Sequence, residues 1–287
     1  MAEFIDFLGD PWTLEFMRRG LIAAVAVSAV AAIIGSFVIL KGMAFIGDAL
    51  PHASFGGIAV AFVLGSNLYL GGAIAAVLTA ILIGFISRRA LIKYDTAIGI
   101  LFVGAFAAGI LIISRQTNYT PDLFSFVFGN VLGVSWSDVW ITTITAAVIL
   151  LLVVLFYKEI LFVAYDPSMA AASGLPVAAA QYGLLAAIAV TTVIGLQTVG
   201  IVLVVALLVT PAATAQLLTR RLPPMMAVGA VVGALSSLVG LYIAYYADVS
   251  ASAAIVLTAT GFFFLAFLFA PGRGLLWQRR FLPAEPT

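Results

Sequence analysis

The chain has 287 residues, of which 64% are hydrophobic and only 9% are charged, with a net charge of +1 at pH 7. Soluble domains carry about 25% charged residues, so this composition excludes an ordinary soluble fold. The near-neutral net charge does not indicate nucleic-acid binding. The absence of cysteine excludes disulfides, thiolate metal sites and cysteine nucleophiles.

The first 20 residues, MAEFIDFLGDPWTLEFMRRG, are acidic and aromatic. They lack the basic start and the apolar stretch of a cleavable signal peptide. We predict that residues 1–20 form an amphipathic segment at the membrane interface.

Long apolar runs then recur between residues 21 and 270. Each is long enough to cross a hydrocarbon core of about 30 Å. The runs are aliphatic rather than alternating, which excludes a transmembrane β-barrel. We therefore predict an all-α, polytopic transmembrane helical bundle, followed by a cytoplasmic tail at 271–287. The bundle has eight membrane segments if TTVIGLQTVG (191–200) interrupts one long helix, and nine if it separates two helices. The nine segments are 21–40, 49–65, 69–87, 96–114, 137–157, 177–195, 199–218, 225–246 and 251–270.

Positive charges predict the orientation of these segments, because cytoplasmic loops carry an excess of Lys and Arg. Counting segments between the basic clusters puts Lys41 inside and the N-terminus outside. Arg18 and Arg19 favour the opposite placement of the N-terminus. The clusters predicted to be cytoplasmic are Arg88, Arg89 and Lys93; Lys158; Arg220 and Arg221; and Arg273, Arg279 and Arg280.

The connection KEILFVAYDPSMAAASGLPV carries signals for a short helix at 166–174. Asp166 is a good N-cap, and Pro167 fits the first helical position, where no amide hydrogen is needed. Gly174 fits the left-handed position after the last turn. We predict a capped helix across the cytoplasmic surface. It is either a simple connector or a docking element for a peripheral protein.

The stretch KGMAFIGDALPHASFGG holds Asp48 and His52, the one histidine of the chain. On a helix, positions four apart share a face, so the carboxylate and the imidazole could bind one divalent metal ion. In the alternative interpretation Asp48 caps the helix that Pro51 helps to open, and His52 is a satisfied polar residue. Ionisable residues inside membranes usually mark ion pathways, which favours the metal site.

Five stretches occur in one order: KGMAFIGDALPHASFGGIAVAFVLG, DTAIGILFV, LFSFVFGNVLGVSWSD, DPSMAAASGLP and VGIVLVVALLVTPAATAQLLTRRLP. Together they resemble the membrane permeases of metal-ion ABC importers, the manganese/zinc/iron (ABC-3) family. The resemblance extends from about residue 20 to 270. A more distant resemblance links the chain to the vitamin B12 and siderophore permeases, and the fold expected is that of a type II ABC importer permease.

This resemblance implies a homodimeric permease in a prokaryotic plasma membrane, surrounded by lipid, with two cytoplasmic ATPases and an extracytoplasmic metal-binding receptor. The permease then has no catalytic site and no bound cofactor. ATP is hydrolysed on the partner chains, and the cargo is Mn²⁺, or alternatively Zn²⁺ or Fe²⁺. In the family, the residues that match Asp48 and His52 are ligands along the pathway. Separately, the position of Asp248 beside Tyr245 and Tyr246, near an outer helix end, has two interpretations: it helps to receive metal from the receptor, or it belongs to an ordinary solvated loop. The ATPase-coupling loop matches Asp166, Pro167, Ser168, Met169, Ala170 and Gly174.

The chain departs from the family pattern at three places. Family members often carry two basic residues where this chain has Lys41-Gly42, and a proline where it has Gly56. They commonly show a Pro-Ser/Thr-Gly turn where this chain reads DVSASAA (248–254). At these three places the residue roles known in the family do not carry over to this chain position by position.

The sequence also bears on two other function classes. A proton- or sodium-driven secondary transporter would usually show an inverted repeat with paired broken helices, and no convincing repeat is present. An intramembrane enzyme is disfavoured because a single histidine excludes a two-histidine zinc site and no GxSxG motif occurs. The chain also has no Gly-rich P-loop, as expected when ATP is bound elsewhere.

Overall fold

The computed structural model describes residues 10–89, 92–115, 131–271 and 274–278. Within these ranges nine helices of 18–26 residues are apolar and long enough to span a membrane. At 1.5 Å per residue their lengths are about 27–39 Å, which matches a hydrocarbon core of about 30 Å. The all-α polytopic fold is confirmed. The nine helices are α1 (Glu15–Leu40), α2 (Ile46–Val63), α3 (Leu68–Arg89), α4 (Tyr94–Ile113), α5 (Trp136–Leu155), α8 (Val177–Thr198), α9 (Ile201–Leu218), α10 (Leu222–Ala247) and α11 (Ala251–Phe269).

Shorter elements connect or follow these helices. A 3₁₀ turn, Val131–Gly133, precedes α5, and two short helices separate α5 from α8: α6 (Tyr157–Tyr165) and α7 (Pro167–Ala172). The short helix α12 (Leu275–Gln278) follows α11.

The break between α8 and α9 decides the number of segments in favour of nine. Gly200 has a φ of 87°, a left-handed backbone that glycine adopts without steric penalty. A Cβ added at Gly195 would lie 2.3 Å from Val204 Cγ2, so the two helices fold back on each other. The stretch 191–200 therefore contains a chain reversal rather than a kink in one helix.

The first membrane helix begins earlier than predicted. α1 starts at Glu15, and Met17 and Gly20 are buried within the bundle. A Cβ at Gly20 would lie 2.9 Å from the Val131 carbonyl oxygen, which shows how closely this turn packs. Residues 15–20 are thus part of the bundle rather than of a separate segment, because their packing partners come from distant parts of the chain. Residues 1–9 of the predicted interfacial segment lie outside the described residues.

Small residues allow the helices to approach closely, as is common in membrane bundles, where packing drives association. α1 lies centrally and packs against α5, α9 and α10, whereas α2 packs mainly against α3 and α4. A Cβ at Gly35 of α1 would lie 1.8 Å from the Leu208 carbonyl oxygen of α9. One at Gly57 of α2 would lie 2.1 Å from the Gly71 carbonyl oxygen of α3.

Side-chain contacts at the helix ends agree with nine alternating crossings. At one end, Trp12 hydrogen-bonds to Tyr242 of α10, and Trp136 Nε1 of α5 donates to Glu15 Oε1 at 2.6 Å. These positions are at the end predicted to face outwards.

At the other end of the bundle, Lys41 Nζ lies 5.9 Å from the Tyr94 ring centroid, and Arg88 lies 5.9 Å from that of Tyr182. Lys41 therefore shares one end with the basic connection between α3 and α4, as predicted.

The orientation can be tested with single cysteines, because the chain has none of its own. We expect Val249→Cys, at an exposed position after α10, to react with a membrane-impermeant maleimide in intact cells. Arg220→Cys should react only after the cells are permeabilised, because the basic clusters are predicted to be inside. Val249 is preferred to Asp248, whose φ of 51° would be strained with cysteine. Labelling of position 220 in intact cells would refute the orientation.

Candidate metal pathway and coupling helix

The first turn of α2 is closed by backbone atoms alone. The amides of Ile46 and Asp48 donate to the carbonyl oxygens of Met43 (2.9 Å) and Phe45 (3.2 Å), and the Ala49 amide also donates to Phe45 (2.9 Å). The N-cap is Phe45, and no side chain accepts a capping hydrogen bond. The interpretation of Asp48 as the N-cap is therefore wrong: the preceding carbonyls already satisfy the free amides of the first turn.

Pro51 also differs from its predicted place. It is buried and lies inside α2, five residues after the first residue Ile46, rather than in the first turn. Since proline has no amide hydrogen, the Gly47 carbonyl loses its helical donor. Pro51 therefore removes the Pro51-to-Gly47 bond from the ladder inside α2 instead of opening the helix.

The structure brings Asp48 and His52 together on one face, as predicted. The distance between Asp48 Oδ1 and His52 Nδ1 is 3.4 Å. However, His52 Nδ1 lies closer, at 2.7 Å, to the backbone carbonyl oxygen of Asp48. A carbonyl oxygen only accepts, so Nδ1 carries a proton and the lone pair of the neutral ring lies on Nε2. In this rotamer His52 can ligate a metal through Nε2 and not through Nδ1.

The carboxylate of Asp48 is free to accept a ligand. Apart from the 3.4 Å contact with His52 Nδ1, its side-chain oxygens have no donor among the described residues. Its side chain is 50% exposed on the protomer surface, and that of His52 is 29% exposed. A half-exposed carboxylate within a membrane helix is costly against lipid. The Asp48 carboxylate is therefore expected to face water or another protein surface rather than lipid.

The pair packs beside the middle of two other membrane helices. The His52 ring packs edge-to-face against Phe102 and Phe106, at centroid distances of 5.3 and 5.6 Å, and both lie in the middle of α4. Gly47 contacts Leu208, in the middle of α9. Neither phenylalanine was predicted from the sequence to contact His52. Their i, i+4 spacing within LFVGAFAAG was an available signal.

An apolar groove of about 600 Å³ lies between α2, α3 and α4 beside this pair. Near His52 its lining includes the small residues Ala53, Gly56 and Ala105, and it reaches Leu64 and Asn67 at the far end of α2. Across the described ranges, no group of three or more His, Cys, Asp or Glu side chains could hold a metal ion. A single protomer thus offers two metal ligands at this level.

Asp248 has a structural role that the sequence analysis did not predict. It ends α10 in the left-handed conformation, with φ 51° and ψ 49°, and its amide donates to the Ala244 carbonyl oxygen. Aspartate tolerates this conformation better than most residues. Asp248 is exposed at the helix end, and the described contacts do not bring it to Asp48 or His52.

The predicted helix at 166–174 is present with the predicted caps. Asp166 Oδ1 accepts hydrogen bonds from the Met169 amide (2.9 Å) and the Ser168 hydroxyl (2.7 Å), and Pro167 is the first helical residue. Gly174, with φ 80°, donates to Ala171, and the Leu175 amide donates to Ala170. This pair of bonds is the Schellman arrangement that closes a helix end.

The carboxyl group of the cap is ionised at neutral pH. The Met169 amide, followed by the Ser168 hydroxyl, lowers the pKa of Asp166 from its usual value of about 3.8. A lowered pKa means that the stabilisation is present above the unfolded-state pKa and is lost only as the pH falls through the folded-state pKa. The N-cap of α7 therefore stays intact well below neutral pH.

The exposure of α7 separates contact residues from supporting ones. Met169 is 57% exposed, and Asp166, Pro167, Ser168 and Gly174 are also exposed. Ala170, in contrast, is fully buried within the protomer. Among the predicted coupling residues Ala170 thus anchors the helix and cannot itself contact a partner.

Comparisons with known proteins extend over nearly the whole chain. The model of the ABC 3 transport family matches residues 13–270. The manganese transport system membrane protein MntC of Listeria monocytogenes is 46% identical over 274 residues, covering 96% of this chain and 98% of the relative. A protein of Haemophilus influenzae named "Probable iron transport system membrane protein" is 35% identical over 276 residues, 96% of this chain and 98% of its own.

A solved structure, PsaBC from Streptococcus pneumoniae in complex with Fab, matches with a TM-score of 0.82 and 38% identity, covering 96% of this chain and 99% of that chain. Three observations identify the same family: the bundle of nine membrane helices, the five ordered sequence stretches and the family match over residues 13–270. The chain belongs to the ABC 3 transport family.

Proposed function

We propose that this chain is the membrane permease of an ABC importer that moves manganese into the cytoplasm. The observation that carries the proposal is the pair Asp48 and His52 on one face of α2, with a half-exposed carboxylate and an imidazole whose Nε2 is available for coordination, in a bundle of nine membrane helices among the described residues. The similarity to manganese transport proteins over 96% of the chain supports the choice of metal.

The ligand types fit a divalent first-row metal. Carboxylate oxygen and imidazole nitrogen suit Mn²⁺, Fe²⁺ and Zn²⁺, whereas thiolate ligands, which favour copper(I), are absent from a chain without cysteine. Two ligands from one protomer make a weak site. A weak site suits a transporter, because the cargo must leave as readily as it arrives.

A second copy of the chain would complete the site. Asp48 and His52 lie at the protomer surface, and a carboxylate at this depth is costly against lipid. In a homodimer with a two-fold axis beside α2, two Asp48 carboxylates and two His52 rings would surround one pathway. The apolar groove along α2, α3 and α4 would then lie next to the route between this level and the outer surface.

Transport energy and metal delivery would come from other chains. Two cytoplasmic ATPases would bind the exposed face of α7, and the permease itself would carry no catalytic site. An extracytoplasmic receptor would deliver the metal at the outer end of the bundle, where Tyr245, Tyr246 and Asp248 are exposed. The outer aromatic and acidic residues offer both ring surfaces and a carboxylate to such a partner.

Reconstitution tests this proposal. The permease, its ATPase and its receptor are placed in proteoliposomes, and uptake of radiolabelled Mn²⁺ is measured with ATP inside or outside, alongside Zn²⁺ and Fe²⁺. We expect uptake that needs both the receptor and ATP on the ATPase side, with Mn²⁺ preferred. Uptake without ATP that follows a proton or sodium gradient would instead identify a secondary transporter, and a preference for Fe²⁺ or Zn²⁺ would overturn the choice of metal.

A further inference from the structure

A second apolar groove lies between α9, α10 and α11, away from Asp48 and His52 in the sequence and in the fold. Its volume is about 300 Å³, and its walls include Leu218, Val232, Leu235, Phe262 and Phe269. Among the described residues that line it, the hydroxyl of Thr214 already donates to the Thr210 carbonyl oxygen at 2.8 Å. The groove therefore presents hydrocarbon and no free polar group.

The groove runs along the membrane-embedded part of the helices. Phe262 and Phe269 are seven residues apart on α11, which corresponds to about 10 Å along the helix. Leu265 is 54% exposed and Phe269 is 59% exposed. These dimensions and this lining suit a stretch of acyl chain.

One end of the groove lies beside two arginines. Leu218 is the last residue of α9, and Arg220 and Arg221 follow it directly before α10. Arg220 and Arg221 are two and three residues after Leu218, so their Cα atoms lie at most about 7 and 10 Å from that of Leu218, and both long side chains can reach this end of the groove. Both arginines are exposed, and no carboxylate of a described residue forms an ion pair with either. The positive-inside rule puts this end at the cytoplasmic surface.

The backbone at this end is poorly suited to hold an anion by itself. α10 begins with Leu222, Pro223 and Pro224, and prolines have no amide hydrogen to donate. A phosphate bound here would depend on the guanidinium groups, which match its oxygens in bidentate geometry.

We propose that this groove and the arginine pair form a binding site for one anionic phospholipid of the inner leaflet. An acyl chain lies in the groove between α9, α10 and α11, and the phosphate of the headgroup binds Arg220 and Arg221. Basic positions at the cytoplasmic ends of membrane helices recognise anionic headgroups in this manner.

The test uses the detergent-purified complex of the permease and its ATPase, titrated with palmitoyl-oleoyl phosphatidylglycerol or with phosphatidylcholine of the same chains. Bound lipid is counted by native mass spectrometry. We expect the wild-type complex to bind phosphatidylglycerol more tightly than phosphatidylcholine. In the double variant R220Q/R221Q the ratio of the two affinities should fall about thirty-fold. Ala266→Phe, which fills the groove, should reduce binding of both lipids. If this variant is not monodisperse, Leu235→Trp at the exposed wall replaces it.

The matched control is R88Q/R89Q, which removes the same charge from the same membrane side. Arg88 and Arg89 lie over the rings of Tyr182 and Phe85 on another part of the bundle, so the control should keep the lipid preference. Equal loss in the control, or an unchanged preference in R220Q/R221Q, would overturn the proposal. So would loss of the ATPase from R220Q/R221Q with lipid binding intact, since the arginines would then contact the ATPase instead.

Discussion

Asp48→Asn is expected to lower Mn²⁺ uptake by at least tenfold, and by as much as about a hundredfold, without lowering the amount of folded permease. Changes to residues that merely support a metal ligand already cost about 10- to 100-fold in affinity or activity, and a direct ligand should cost at least as much. The fold should persist because Asp48 is not a capping residue. Its remaining structural role, a negative charge in the first turn of α2, contributes only about 0.3–1 kcal/mol.

The measurement is uptake of radiolabelled Mn²⁺ in cells that lack other manganese importers, at matched permease levels. Asp95→Asn is the matched control, because Asp95 is likewise an acidic residue in the first turn of a membrane helix, α4. It loses the same interaction with the helix dipole and should transport normally. Normal uptake by Asp48→Asn, or an equal loss in both variants, would show that Asp48 is not a pathway ligand.

Met169→Glu should reduce association with the ATPase by at least about thirty-fold. Met169 is the large apolar side chain that α7 exposes, at 57%. A hot-spot residue at the centre of an interface contributes about 2 kcal/mol or more, which corresponds to a factor of about thirty. A buried glutamate adds the cost of desolvating a charge.

This effect is measured by co-purification of the ATPase with tagged permease, together with the ATPase activity of the eluted complex. Met169→Leu is the control, because it keeps an apolar side chain of similar volume and should retain the ATPase. Ala170 is unsuitable as a probe of the contact, since it is fully buried and a larger residue there would displace α7. Retention of the ATPase by Met169→Glu would refute the docking role of α7.

Local signals in the sequence were sufficient for much of the fold. The caps of α7 could be predicted because Asp166, Pro167 and Gly174 each act through their own backbone and that of close neighbours. Long apolar runs likewise predicted the membrane helices, since hydropathy reflects the surrounding lipid. The break at Gly200 remained ambiguous because a positive φ is a property of the folded backbone.

The geometry of the candidate site was predicted in part, because part of it is also local. The spacing of Asp48 and His52 on one helix face is local, and the structure agrees with it. The start of α2 was misplaced because the acceptors of its first turn are carbonyls of Met43 and Phe45, which any residue supplies. The packing of Phe102 and Phe106 against His52 joins helices that are distant in sequence, and hydropathy alone does not reveal such neighbours.

The most direct test of the proposed pathway is pulsed electron paramagnetic resonance of Mn²⁺ bound to the purified permease–ATPase complex. His52 is the single histidine of the permease, and its Nε2 is the nitrogen available for coordination. We predict echo modulation from a directly coordinated imidazole nitrogen in the wild-type complex, and loss of this modulation in His52→Gln at equal protein concentration. Bound Mn²⁺ with no nitrogen modulation, or with a modulation that persists in His52→Gln, would contradict a metal pathway at Asp48 and His52.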